Sequence, residues 1–398
     1  MDERVDERER LLTPAFVEIT GAALCYFVAI GVVAPVLPRF VEDSLGGGGT
    51  AVGLSVGAFA VSAALLRPVV GRIGDRHGRR VLVLAGAGIA GVSVLGYALA
   101  TNLAVLIFMR LLTGVGEAAM FVGAATAVQD IAPSARRGEA TSYFSVAVYG
   151  GLAIGPILGE IARTHWGIHA AWYLGAAFCF AAVLLGTRMP AARPVVDDQP
   201  TDTRRRFFHP AAIRPGLILA LSTTGYAGFA AFVPLYVTQL GLSGSGVVFA
   251  EYAFAILAVR IFGARLPDQL GSRRSASIAL VLQASGLAVM CLWMSTTGLY
   301  VSTFVYAMGV SLLYPALFPL VVDAAPEAER SQAIATFTLA FDVSQGLGAF
   351  VLGIVVSLSS ERWAFGAASL LSLAALVIVR TTGREFHRAG QLSPAVTP

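Results

Sequence analysis

Long runs of apolar residues alternate with short polar segments along nearly the whole chain. Each run is about as long as an α-helix that crosses a hydrocarbon core of ~30 Å. The pattern predicts twelve membrane-spanning helices, at residues 16–38, 51–70, 81–101, 104–129, 140–162, 170–188, 215–238, 247–266, 275–294, 299–322, 332–357 and 362–380. Most charged residues lie between these runs. The sequence therefore predicts an all-α polytopic membrane protein.

The composition supports this class of protein. Of the 398 residues, 56% are hydrophobic and 13% are charged, whereas a soluble domain has about 25% charged residues. The net charge of +4 does not indicate nucleic-acid binding, because basic residues of membrane proteins collect on their cytoplasmic loops. We therefore expect the lipid bilayer, and no nucleic acid, as a partner.

Two polar segments of the first part of the chain recur 193 positions later. The segment 71–80 is matched in part at 264–273, and the segment 130–137 is matched at 323–330. A shared offset in two separate segments indicates two similar halves. The predicted organisation is an N-terminal tail (1–15), a six-helix half (16–188), a linker (189–214), a second six-helix half (215–380) and a C-terminal tail (381–398).

The arginines predict the orientation in the membrane. If the N-terminus is cytoplasmic, the inner loops and tails hold nearly all of the interhelical arginines. The outer loops then hold only Arg39, Arg163 and Arg362, each at the edge of a span. Because positive charge favours the cytoplasmic side, we expect both termini inside and a multi-pass protein of the cell membrane.

Four motifs together resemble those of the major facilitator superfamily, most closely its twelve-span drug:proton antiporters. They are the segments Gly31–Pro38, Gly71–Arg80, Arg110–Ala118 and Gly151–Gly159. The resemblance covers residues 16 to 380. It implies twelve transmembrane helices in two pseudo-symmetric six-helix halves, alternating access, and a substrate site between the halves.

The resemblance assigns expected roles to individual motif residues. The cytoplasmic gate motif comprises Gly71, Arg72, Gly74, Asp75, Gly78, Arg79 and Arg80, with a partial second-half copy at Arg265, Asp268, Gly271 and Arg273. The antiporter-like motif comprises Gly151, Gly155, Pro156 and Gly159, and the first-helix motif contains Pro35 and Pro38. Glu160 stands where the antiporter motif usually has a second glycine.

The gate motif has a specific expected mechanism. The resemblance implies that the Asp75 carboxylate accepts hydrogen bonds from helix ends and arginines when the carrier faces outward. The alternative interpretation is a solvated turn that only fixes the topology.

Glu117 is the first candidate for proton coupling. Arg110, Gly114 and Glu117 are spaced by four and three residues and so share one helix face. An ionised group near the middle of a span costs at least ~2.5–3.5 kcal/mol unless it is paired or hydrated. Burial favours the neutral carboxyl and Arg110 favours the charged one. This competition could make Glu117 a proton carrier; the alternative is a static Glu–Arg clamp.

Asp342 is the second candidate. With Thr338 and Gln345 it forms a polar stripe near the middle of an apolar helix, which predicts either proton or cation binding or a structural hydrogen bond. An amphipathic substrate could be lined by Gln345 and by aromatic residues, or these could serve in packing. The candidate aromatic residues are Tyr26, Tyr149, Tyr226, Phe229, Tyr306 and Tyr314.

The sequence thus predicts a carrier, expected to be monomeric, that exports a small amphipathic or drug-like molecule in exchange for protons. The proton gradient would supply the energy, and no cofactor or metal is expected. The alternatives are a uniporter or proton-symport importer of a small metabolite or sugar, and a non-transporting sensor or scaffold with a carrier fold. No motif of an enzyme is present, including any phosphate-binding loop of a nucleoside triphosphatase.

Overall fold

The computed structural model describes residues 11–133, 136–190, 209–263, 266–326 and 329–381. Both predicted tails, except for a few residues beside the helices, and most of the predicted linker lie outside the described residues.

The described residues form twelve long α-helices and one short α-helix, and a π-helical segment, Phe40–Ser44, extends the first of them. In chain order they are α1 Pro14–Arg39, α2 Gly49–His77, α3 Arg79–Tyr97, α4 Leu103–Ile131, α5 Arg137–Trp166, α6 Ile168–Gly186, α7 Pro210–Gln239, α8 Gly246–Phe262, the short α9 Leu266–Leu270, α10 Ser272–Leu292, α11 Thr296–Asp323, α12 Arg330–Leu358 and α13 Glu361–Thr381. Eleven of them are long and apolar enough to cross a membrane, and α8, with 17 residues, is shorter. The predicted fold class is confirmed.

Local chemistry sets the starts of several helices. Thr13, Asn102 and Ser295 each accept the backbone N–H of the residue three positions on, which satisfies one of the unpaired donors of a helix N-terminus. Pro14 and Pro210 occupy the first helical position, where a missing N–H costs nothing.

The segment 71–80 differs from the predicted turn because most of it is helical. Helix α2 continues through its arginines to His77, and only Gly78, with φ of +90°, separates it from α3. Gly271, with φ of +76°, separates α9 from α10 in the same way. Arginine is a good helix former, so charge alone does not end a helix, whereas a positive φ favours glycine.

Glycines allow close contact between helices at corresponding places. A Cβ on Gly116 of α4 would lie 2.6 Å from the carbonyl oxygen of Gly86 on α3. A Cβ on Gly309 of α11 would lie 2.5 Å from the carbonyl oxygen of Ala279 on α10. Gly309 follows Gly116 by 193 positions, and Ala279 follows Gly86 by the same number. The sequence repeat therefore corresponds to a repeated helix crossing.

The chain forms two compact units, each with its own apolar core. The first unit consists of residues 58–199 with 1–47 and 244–253, and the second of residues 254–398 with 48–57 and 200–243. The segment 244–253 thus belongs to the first unit although the residues on both sides of it in sequence belong to the second. The segment 48–57 belongs to the second unit although the residues on both sides of it belong to the first. That the halves 16–188 and 215–380 act as two bodies stays a prediction.

Candidate functional site

Arg110 and Glu117 are both buried inside the first unit, with 6% and 8% of their surfaces exposed. Helix α4 carries them on one face, and Gly114 lies between them. A Cβ on Gly114 would lie 2.2 Å from the carbonyl oxygen of Phe59 on α2. The absence of a side chain at this position therefore lets α2 approach the face that carries the two charged groups.

Arg110 begins a directed chain of hydrogen bonds. Its Nη1 donates to the Tyr97 hydroxyl at 3.4 Å, and that hydroxyl lies 2.6 Å from Thr113 Oγ1. Thr113 donates its own hydrogen to the Met109 carbonyl at 2.8 Å, so Tyr97 is the donor towards Thr113. The Arg110 guanidinium also lies over the Phe59 ring, 4.7 Å from its centroid. These contacts stabilise the buried cation without neutralising it.

Glu117 lies one turn beyond Thr113, and other helices bring polar groups to its carboxyl. Tyr26 of α1 is fully buried, and its hydroxyl lies near this carboxyl. The Cys179 thiol of α6 also interacts with it electrostatically. The carboxyl therefore lies among side chains from three helices of the first unit.

Asp342 is buried in the second unit, with 6% of its surface exposed. One turn further along α12, Gln345 Nε2 donates to the Thr223 carbonyl of α7 at 3.2 Å. The Thr223 hydroxyl lies 2.5 Å from that of Ser344. Ser222, the preceding residue of α7, donates to Gln283 Oε1 on α10 at 2.5 Å. Uncharged hydroxyl and amide groups thus connect α7 with both α12 and α10.

The candidate aromatic residues occupy different environments. Phe229 and Tyr306 are fully buried in the second unit, and their ring centroids are 5.8 Å apart. Tyr314 is 37% exposed, and its centroid lies 5.7 Å from that of Phe318. Tyr149 and Tyr226 are half-buried. Phe229 and Tyr306 therefore form one cluster, whereas Tyr314 belongs to another.

The gate motif connects the ends of several helices in the first unit. Arg79 Nε lies 3.3 Å from Asp130 Oδ2 at the end of α4, and Arg80 Nη2 donates to the Thr187 carbonyl at the end of α6. A Cβ on Gly74 would lie 2.5 Å from Leu82 Cδ1, so this glycine provides space for α3. Gly71 has no neighbouring atom at its Cβ position, and Arg72 is exposed. The Asp75 side chain lies outside the described part of the structure.

The partial copy of this motif repeats one of these contacts. Arg273 Nη2 donates to the Arg380 carbonyl at 2.8 Å. Arg273 follows Arg80 by 193 positions, and Arg380 follows Thr187 by the same number. Arg265 and the side chain of Asp268 lie outside the described residues.

The antiporter-like motif packs against α1. Cβ atoms on Gly151, Gly155 and Gly159 would lie 2.7, 2.4 and 2.3 Å from backbone atoms of Val28, Val28 and Val32. Pro156 lies within α5, and Pro35 and Pro38 are buried within α1. These residues therefore set the approach of two helices.

The sequence pattern missed one ionic cluster, which surrounds Glu160 in the first unit. Glu160 is 9% exposed, and its Oε2 accepts a hydrogen bond from Arg163 Nε at 2.9 Å. Its Oε1 accepts from the Ser245 backbone N–H at 3.0 Å and lies 3.9 Å from Arg39 Nη2. The carboxylate thereby caps the N-terminus of α8. The only signal in the sequence was the charge at a position where the motif usually has glycine.

Comparisons with known proteins agree on one family. The sequence model of the Major Facilitator Superfamily matches residues 19–259 and 243–394. An uncharacterised transporter of this superfamily type from Salmonella typhimurium is 27% identical over 381 residues, which are 92% of this chain and 96% of that protein. The uncharacterised transporter YhhS of Escherichia coli is 25% identical over 376 residues, 90% of each chain.

Solved structures of the same fold are also similar. The crystal structure of the nucleoside transporter NupG has a TM-score of 0.76 at 13% identity and covers 92% of this chain and 99% of its own. A bacterial homologue of the human lysosomal transporter Spinster has a TM-score of 0.73 at 14% identity, covering 95% and 96%. At these identities the likeness concerns the fold.

Proposed function

This chain belongs to the Major Facilitator Superfamily, and on that premise we propose that it is a secondary active carrier that exports a small amphipathic or drug-like molecule in exchange for protons. It is a multi-pass membrane transporter. In our proposal it acts as a monomer in the cell membrane with both termini cytoplasmic, and it works by alternating access.

The observation that carries proton coupling is the buried Glu117 carboxyl. It lies within a span, among side chains from three helices, and 8% of its surface is exposed. Burying a carboxyl within the membrane has a high free-energy cost, and such carboxyls commonly serve proton or ion movement. In the proposed cycle Glu117 takes up a proton from the outer side and releases it to the cytoplasm, while substrate moves outward.

Arg110 supplies a fixed positive charge two turns from Glu117. Its hydrogen bond to Tyr97 and its position over Phe59 hold the guanidinium in one place. A nearby cation favours the charged carboxylate, whereas burial favours the neutral acid. Arg110 therefore adjusts the proton affinity of Glu117 so that both states can occur in one cycle.

Asp342 is the proposed second proton site. Its burial matches that of Glu117, and its unit contributes the neighbouring Gln345 and Thr223 to substrate contact. The gate motif controls access on the cytoplasmic side through Asp75 and through the contacts of Arg79 and Arg80. A membrane potential of 100 mV contributes ~2.3 kcal/mol per charge moved, which exceeds the ~1.4 kcal/mol needed for a tenfold gradient.

A second candidate function is uptake of a small hydroxylated metabolite, by uniport or proton symport. The observation that favours it is the uncharged cluster of hydroxyls and amides around Thr223, Ser344 and Gln283. Such groups suit a neutral polar solute better than a lipophilic cation. NupG, a nucleoside transporter, has the same fold. In this case Glu117→Gln would leave transport largely intact.

The test uses inside-out membrane vesicles that contain the protein and are energised to an acid interior. A pH-sensitive dye reports release of the gradient while labelled drugs, dyes, sugars and nucleosides are added in turn. The variants are Glu117→Gln and Asp342→Asn. Glu139→Gln is the matched control, because this carboxyl is exposed and bonded to Arg136 at the start of α5.

The antiport proposal predicts that one class of compound releases the gradient and that Glu117→Gln abolishes this release while Glu139→Gln preserves it. Substrate equilibration without proton movement would overturn antiport and support uniport. Proton movement together with accumulation in the opposite direction would support symport. If no compound crosses and none moves protons, the sensor or scaffold alternative replaces transport.

A further inference from the structure

Helices α10 and α13 pack side by side in the second unit. In a buried contact between them, Ser369 of α13 donates a hydrogen bond to the Ala284 carbonyl of α10 at 2.8 Å. Where α10 starts and α13 ends, Arg273 Nη2 donates to the Arg380 carbonyl at 2.8 Å. The first turn of α10 and the last turn of α13 therefore meet at one end of the helix pair.

Three arginines lie at this end of the pair. Arg274 follows Arg273 in α10 and is exposed, as is Arg380. A guanidinium has five N–H donors, and the bond from Arg273 to the Arg380 carbonyl is the only one that these three side chains donate to a described residue. None of the described carboxylates forms an ion pair with them. Their positive charge and nearly all of their donors can therefore serve a ligand.

The contact between the two helices does not require all three arginines. In the first unit, Arg80 makes the corresponding contact at the end of α6. The residue 193 positions before Arg274 is Val81. The residue 193 positions before Arg380 is Thr187. The same helix contact thus forms without these two cations, which indicates another role for Arg274 and Arg380.

Arg274 and Arg380 each lie at the end of an exposed apolar stripe. On each helix, exposed apolar residues follow the arginine at spacings of three and four, which places them on the same helix face. They are Ile278 and Val281 on α10, and Val377 and Leu373 on α13, with exposed fractions between 42% and 59%. Both helices are long and apolar enough to span a membrane, so these faces suit lipid acyl chains.

We propose that the joined ends of α10 and α13 bind the phosphate group of an anionic phospholipid, whose acyl chains lie along the two apolar stripes. Arginine suits this ligand because its planar guanidinium can donate to two phosphate oxygens at once. The N-terminus of α10 adds partial positive charge, and Gly271 before it provides no side-chain cap. A zwitterionic phospholipid carries a positive group beside its phosphate, so it complements the three arginines less well. The site contains no residue of the proposed proton and substrate sites.

The experiment is native mass spectrometry of the full-length protein in detergent micelles. The probes are dioleoyl phosphatidylglycerol and dioleoyl phosphatidylcholine, which have the same acyl chains, and the dissociation constant of the first bound lipid is measured for each. The variants are Arg274→Gln, Arg380→Gln and the two together. They keep the contact with Arg273, because the carbonyl that it binds belongs to the main chain. Arg76→Gln is the matched control, since Arg76 is an exposed arginine near the end of α2.

We expect the wild type to bind phosphatidylglycerol more tightly than phosphatidylcholine. Each single variant should weaken the binding of phosphatidylglycerol by about fivefold, and the double variant by roughly 25-fold. Binding of phosphatidylcholine should change little. The double lysine variant, Arg274→Lys with Arg380→Lys, should keep most of the preference because it keeps both charges. Arg76→Gln should bind both lipids as the wild type does.

Equal affinity of the wild type for the two lipids would overturn the site. A loss of preference in Arg76→Gln as large as in Arg274→Gln would also overturn it, because the total charge of the protein would then be the cause. Inorganic phosphate is the third probe. If it binds as tightly as phosphatidylglycerol and depends equally on Arg274 and Arg380, the site takes free phosphate and the lipid assignment is wrong. A preference that depends on both arginines and persists in excess phosphate supports the lipid site.

Discussion

The Glu160 carboxylate accepts the backbone N–H of Ser245 at 3.0 Å. Ser245 is the residue before α8, so a carboxylate near the end of α5 neutralises the positive end of α8, whose first residues belong to the same unit. Gly244 makes this contact feasible, because a Cβ there would lie 2.9 Å from the Glu160 carboxyl carbon. The charge that departs from the glycine motif thus has a structural partner 85 positions away.

Replacement of Glu160 by alanine should loosen the first turn of α8. The variant leaves Ser245 N–H without its acceptor and leaves Arg39 and Arg163 facing each other across the vacated position. Loss of the cap costs about 0.5–2 kcal/mol, and the loss of an ion partner for the buried Arg39 adds to it. Amide hydrogen exchange of residues 245–252 should accelerate, while the equivalent measurement on α10 should not change.

Glu160→Gln separates the contribution of the hydrogen bond to Ser245 from that of the negative charge. Its amide oxygen can still accept from Ser245, but it carries no charge for Arg39 and Arg163. We expect an intermediate exchange rate. An alanine variant with wild-type exchange in α8 would contradict the cap, and Glu139→Gln controls for the loss of an exposed carboxylate.

The second prediction concerns Arg80 and Arg273. Arg80 donates to the Thr187 carbonyl at the end of α6, and Arg273 donates to the Arg380 carbonyl at the end of α13. Cations stabilise the C-terminus of a helix. Arg80→Ala should increase hydrogen exchange at the end of α6 only, and Arg273→Ala at the end of α13 only. The exposed Arg76→Ala is the matched control. Equal effects of both variants on both helices would contradict two independent local contacts.

The sequence predicted the helices well because their length and apolar character are properties of each segment alone. It was wrong about the extent of the turn at 71–80, since arginines are compatible with a helix and only Gly78 has a positive φ. Apolar patterning marks where a chain leaves the membrane. It does not mark where helical hydrogen bonding stops.

The surroundings of the candidate site were less predictable. The spacing of Arg110 and Glu117 indicates a shared face, and both are buried. The hydrogen-bond partner Tyr97 of Arg110 comes from another helix, and nothing in the spacing of α4 specifies which residue of α3 lies opposite. Pairings between helices depend on close contacts such as that of Gly86 with Gly116, which a single sequence does not reveal.

The third prediction tests the glycine packing of α5 on α1. A Cβ at position 155 would lie 2.4 Å from the Val28 carbonyl oxygen and 2.7 Å from Gly31 Cα, so Gly155→Ala forces two backbones apart. Such overpacking costs about 1–3 kcal/mol. Gly150→Ala is the matched control on the same helix, because its Cβ would have Leu24 Cδ1 at 3.8 Å, an ordinary contact.

The measurement is the fraction of detergent-solubilised protein that stays monodisperse after heating. We expect Gly155→Ala to aggregate at a lower temperature than the wild type, and Gly150→Ala to behave like the wild type. Equal behaviour of the two variants would contradict a specific role of Gly155 in helix approach.

The fourth prediction concerns the ring of His209 at the start of α7. Its Nδ1 accepts the Ala211 backbone N–H at 3.2 Å, so Nδ1 carries no proton. The ring proton is therefore on Nε2, which lies 2.8 Å from Glu329 Oε2 and donates to it. The His209 N–H also donates to Thr336 Oγ1 at 3.0 Å. The neutral ring thus caps α7 and connects it to the start of α12.

Removal of the ring nitrogens should weaken this cap. His209→Phe keeps an aromatic ring but offers no acceptor to the Ala211 N–H and no donor to Glu329. Amide hydrogen exchange in the first turn of α7 should therefore be faster in His209→Phe than in the wild type. His209→Asn keeps a capping oxygen, so its exchange should stay close to that of the wild type. A phenylalanine variant with wild-type exchange, or an asparagine variant that exchanges as fast as the phenylalanine variant, would show that the ring is not the capping group.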